Sequence, residues 1–86
     1  MIKPLIEKHG LKTIADRMTV SAGRRISIQR VNNWQDRGVP LDMTIFFCRA
    51  VAWDITPHQL HPDSYPHPED GLPEERRTKP RIAASA

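Results

Sequence analysis

Between Ser27 and Arg37 the chain reads Ser-Ile-Gln-Arg-Val-Asn-Asn-Trp-Gln-Asp-Arg, a run rich in side chains that recognise base edges. Glutamine and asparagine amides donate and accept together, as bidentate pairing with an adenine edge requires, and an arginine fork does the same with guanine. Val31 and Trp34 are spaced for the inward side of a helix. Turning by about 100° per residue puts Gln29, Asn32, Asn33 and Asp36 on the opposite side. Ser27, Ile28 and Gln29 stand at the helix start, where Ser27 is a candidate N-cap and Ile28 can meet a thymine methyl. Six basic residues between Lys12 and Arg37 face only two acids, Asp16 and Asp36. The expected base readers are therefore Ser27, Ile28, Gln29, Arg30, Asn32 and Asn33. The expected phosphate contacts are Lys12, Arg17, Arg24, Arg25 and Arg37, with Thr13 adding a hydroxyl or amide at a helix N-terminus. Any one of these also suits a solvated helix face; the set together points to double-stranded DNA.

Such a face needs a helical scaffold. Ile2, Leu5, Ile6 and His9 follow helical spacing until Gly10, predicting a short first helix. Thr13, with Asp16 three residues on, reads as the cap of a second helix whose inward stripe is Ile14, Ala15 and Met18. The third helix spans about Ser27–Arg37 and ends at Gly38. Leu41 to Trp53 reads as a fourth, with Leu41, Ile45, Cys48 and Ala52 on one face, broadened by Phe46, Phe47 and Val51. Thr56-Pro57-His58-Gln59 is a capping box with proline at the first helical position, opening a short fifth helix. Arg25 to Arg30 alternates briefly, the one stretch with a strand-like pattern. The expected fold is all-α: a small helix-turn-helix domain of about five short helices with a flexible Pro-rich C-terminal tail.

The chain has 86 residues, 38% of them apolar and 6% aromatic, with a formal charge of +3. One small domain with a modest aliphatic core is all this length supports. The charge is unevenly spread: residues 1–53 carry nine basic against four acidic residues, a net +5, and residues 54–86 carry four against six, a net −2. Six of the eight prolines lie at or after Pro57, and little beyond Leu72 and Ile82 in the last stretch is apolar. The expected organisation is a DNA-binding domain over residues 1–65 and a flexible tail over 66–86. A single cysteine, no span of the length a bilayer needs and no signal-peptide start lead us to expect a cytoplasmic protein, not a membrane one.

Gly10-Leu11-Lys12-Thr13-Ile14-Ala15, Ile26-Ser27-Ile28-Gln29-Arg30-Val31-Asn32-Asn33-Trp34 and Arg37-Gly38-Val39-Pro40 together resemble the Cro-like phage repressors. They are also similar to the related YdaS-type antitoxins. Thr56-Pro57-His58-Gln59-Leu60-His61-Pro62-Asp63, followed by Tyr65-Pro66, looks like the same family's domain ending, so the likeness spans roughly Met1 to Leu72. It implies a helical operator-binding domain that represses transcription as a pair on a palindromic site. The turn departs from the family's pattern. Three or four residues are usual there, but placing Val31 and Trp34 inward requires the third helix to start at Ser27. That leaves an insertion of about six residues, Val20 to Arg25, expected as a mobile loop.

Other sharp features carry less. His58-x-x-His61, with His67 and Cys48, has metal-ligand residue types but not the spacing of a structural zinc site, so no metal is expected and the histidines read as solvated. Cys48 reads as a buried small hydrophobe and Trp53 as core. No phosphate loop, nucleophile–base arrangement or paired carboxylates in a cleft occur, so neither an enzyme nor a cofactor is expected. Two functions remain. One is a sequence-specific repressor that blocks transcription as a weak homodimer, or as monomers pairing on DNA. The other is an antitoxin-like interaction protein whose tail binds a protein partner while the helical domain autoregulates.

Overall fold

The computed structural model describes residues 2–76. Among them the regular secondary structure is helical, with no strand. The alternating stretch that begins at Arg25 forms no ladder: residues 25–27 are irregular backbone, and helix begins at Ile28. Five α-helices follow in order: α1 (Lys3–His9), α2 (Leu11–Ala22), α3 (Ile28–Arg37), α4 (Thr44–Ala50) and α5 (Pro57–Leu60). A 3₁₀ turn at Leu41–Met43 leads into α4, and another spans Glu74–Arg76. No helix among the described residues is long and apolar enough to cross a membrane.

α2 is the central element, packed against α1, α3 and α4. Ile14, Ala15 and Met18 are its buried residues, as the spacing predicts. They meet Ile2 and Ile6 of the N-terminal segment, Val31 and Trp34 of α3, and Met43, Phe47, Cys48 and Val51 around α4 in one core. Trp34 and Phe47 touch edge to face, with ring centroids 6.2 Å apart and planes at 77°, a geometry that adds about 0.5–1.5 kcal/mol to the burial itself. Small Ala15 is buried on the side of α2 that meets the start of α3, where a larger side chain would hold the helices apart.

Three local expectations change. α2 starts at Leu11 rather than at Thr13, because Gly10, at φ +87°, ends α1 and caps α2 at the same position. Thr13 is thus an exposed residue of the first turn, not the cap. The Val20–Arg25 insertion is not a six-residue loop: Val20, Ser21 and Ala22 extend α2, and Gly23 ends it in the left-handed conformation at φ +69°. The remaining connector is pinned. Ile26 is buried, and its backbone N–H donates to Thr19 Oγ1 at 2.9 Å, while that hydroxyl donates to the Ala15 carbonyl at 2.8 Å. Finally, Leu41–Trp53 is not one helix, and its inward face is rotated from the expected one. Met43, Thr44, Phe47, Cys48, Ala50 and Val51 are buried, whereas Leu41 is 52% exposed and Ala52 is exposed. The 3₁₀ entry changes the rotation per residue, and Ala52 and Trp53 turn the chain away at φ 55° and 63°.

The α4 exit is tied down by polar contacts. Arg17 Nη1 donates to the Ala50 carbonyl at 2.9 Å, one of the carbonyls a helix end leaves unpaired. Asp54, just past the turn, accepts from Lys8 Nζ and pairs with His9 Nε2, each at 2.8 Å. Lys8 first, then His9, holds the Asp54 carboxyl below its ordinary range. α5 has the expected capping box: Gln59 N–H donates to Thr56 Oγ1 at 3.2 Å and Thr56 N–H to Gln59 Oε1 at 2.9 Å. Packing continues beyond Tyr65, where the tail is expected to begin. Leu72 is buried, and the Gly71 backbone lies so close to Pro57 and Ile45 that a Cβ there would come within 2.9 Å of both. Residues 77–86 of the expected tail lie outside the described residues.

Candidate nucleic-acid interface

α3 is attached by a narrow seam. Val31 is fully buried and Trp34 is 5% exposed, and these two are its only buried residues. Ser27 caps it as expected, its Oγ accepting from Arg30 N–H at 3.1 Å. Gly38, at φ +86°, ends it through a 2.8 Å bond from its N–H to the Trp34 carbonyl. Ser27, Ile28, Gln29, Arg30, Asn32, Asn33, Asp36 and Arg37 are all exposed. At about 100° per residue, Gln29 and Asp36 lie nearly opposite the Val31–Trp34 seam, with Asn32 and Asn33 to either side of that line. Gln35 donates to Asn32 Oδ1, which fixes the Asn32 amide group in orientation.

The expected phosphate contacts are spread over several sides of the domain. Asp16, Thr19 and Arg25 line one cleft with Ser27 and Ile28 at the start of α3. Lys12 belongs to that side, paired with Asp16 at 3.5 Å one turn on. Arg24, in the connector, approaches Asp42 at 3.7 Å. Arg17 is placed elsewhere: with Ser21 it borders Arg49 and Ala50 of α4, and its guanidinium is engaged by the Ala50 carbonyl. Arg30, Asn33 and Arg37 line another cleft on the far flank of α3, closed by Val39, Pro40 and His61.

That last cleft brings in His61, which the sequence pattern presents as a solvated residue. His61 Nε2 donates to the Val39 carbonyl at 2.6 Å and His58 Nδ1 to the Tyr65 carbonyl at 2.6 Å; a carbonyl only accepts, so those nitrogens carry the protons. Both rings are half-buried structural ties. The capping box at Thr56 is the available signal, because it fixes the short helix that contains His58 and that His61 caps. No group of three His, Cys, Asp or Glu that could hold a metal occurs among the described residues. Cys48 is fully buried, and burial pushes its thiol up to about 12, which leaves it protonated and unreactive at neutral pH.

Fold and site together define a small all-α domain in which a capped, polar-faced helix follows a central helix across a short connector. No family model, curated protein or solved structure matches the chain.

Proposed function

We propose that this protein is a sequence-specific, double-stranded-DNA-binding regulator that represses transcription by occupying an operator. The observation that carries the reading is α3 itself. Two residues fasten it to the core while Gln29, Asn32 and Asn33 stand outward as amides matched to base edges. Ser27 at the cap and exposed Ile28 complete the end of the helix that enters a major groove in helix-turn-helix proteins. Lys12, Thr13, Arg24 and Arg25 are exposed around it and suit contacts to the backbone. The resemblance to Cro-like repressors in the same segments agrees with this reading and suggests that two copies pair on a palindromic site.

Selection of binding sites from random duplexes tests it. The expected result is an enriched palindrome whose half-sites are about one helical turn apart, roughly 10 base pairs, or a multiple of that. Equal affinity for every duplex, whatever its sequence, would refute specific recognition.

A further inference from the structure

The flank of α3 that carries Arg30 and Arg37 differs from its outward line. At about 100° per residue these two arginines lie about 20° apart and about 80–100° round the helix from Gln29. They line one open cleft of about 460 Å³ with Asn33, and no acidic residue among those described lines it. Neither guanidinium has an acidic partner among the described residues. On the opposite flank Arg25 shares its cleft with Asp16, whereas on this one Asp36 lines only the adjoining cleft, on the other side of Arg37 from Arg30.

The cleft is also firmly built. Val39, 2% exposed, and Trp34 back it. Gly38 N–H bonds the Trp34 carbonyl at 2.8 Å, His61 Nε2 bonds the Val39 carbonyl at 2.6 Å, and Thr44 Oγ1 donates to the Pro40 carbonyl at 3.0 Å. Two exposed guanidiniums beside a fixed wall that carries no acidic residue make a cleft suited to an anion. The dimensions of DNA say which anion. A helix with its side chains is about 10–12 Å across, and the major groove is about 12 Å wide. A helix seated with Gln29 toward the base edges therefore sets its flanks against the sugar–phosphate walls.

We propose that Arg30 and Arg37, at the rim of this cleft, grip the phosphodiester backbone of the strand along that flank, so that Arg30 positions α3 instead of reading a base. This rests on the duplex-binding reading above. The test titrates the full-length chain with a selected duplex and an unrelated duplex of equal length, between about 50 and 200 mM salt. Arg30→Gln and Arg37→Gln should each weaken both duplexes several-fold by the same factor and each lower the salt slope by about 0.9. Arg30→Lys should keep the slope. Arg49→Gln removes the same charge from the α4 side and should leave the slope unchanged. Loss confined to the selected duplex in Arg30→Gln, with its slope intact, would overturn the proposal and restore Arg30 as a base reader. An equal fall of slope in Arg49→Gln would overturn it too, in favour of diffuse attraction. A wild-type chain that binds neither duplex would refute the duplex reading itself, and this inference with it.

Discussion

α3 and α4 both pack into the core around α2, yet they use their residues in opposite ways. α4 buries Thr44, Phe47, Cys48 and Ala50 of its seven residues, and its one buried polar side chain, Thr44, is satisfied by the Pro40 carbonyl. α3 buries only Val31 and Trp34 of its ten. A domain this small has few positions with which to build a core, so drawing four of them from the seven residues of α4 lets α3 keep most of its surface outward. Damage should divide accordingly: α4 substitutions should act on folding, and outward α3 substitutions on recognition.

The sharpest challenge to that division is Phe47→Ala, which empties a fully buried site and removes the ring that Trp34 meets. It should cost about 3–5 kcal/mol, a large part of the stability a small domain has, and urea unfolding followed by tryptophan fluorescence will measure it. A loss below about 1 kcal/mol would mean that α4 is not the scaffold. Gln29→Ala should do the reverse, leaving the thermal midpoint alone while costing about 1–3 kcal/mol of discrimination at one base pair. Competition between operator variants reads this out. Ser27→Ala sits between the two, since removing the cap should cost about 1 kcal/mol of folding stability and weaken operator binding through a frayed α3 start.

The smallest effect is electrostatic and lies at the α4 exit. The Asp54 carboxyl is held below its ordinary 3.8 by Lys8 and then His9. A carboxyl depressed in the folded state stabilises above its ordinary value and loses that contribution as pH falls through the lowered one. The difference in thermal midpoint between wild type and Asp54→Asn should therefore be present near neutral pH and shrink below pH 3.8. A difference unchanged in stronger acid would show that the Asp54 contacts act through something other than its charge.

Much of this arrangement is legible in the sequence wherever a single local pattern governs it. The Val31–Trp34 spacing places the α3 seam, and Ser27 and the Thr56 box place caps. Legibility fails where a second element intervenes. The α4 face is rotated from its helical-wheel position because a 3₁₀ turn changes the angle per residue that the wheel assumes. The insertion reads as a loop because its serine and alanine carry no pattern of their own; the bond between Ile26 and Thr19 that shortens it joins residues on opposite sides of the break.

Sequence alone determined which side chains stand outward on α3, because that follows from a fixed rotation per residue along one helix. Only the tertiary structure decided what each of them faces. Arg17 and Arg30 are the same residue type in the same basic region, but Arg17 is drawn to the Ala50 carbonyl of α4 while Arg30 is left with Arg37 in an acid-free cleft. Such partners come from segments far along the chain, and packing, not periodicity, brings them together.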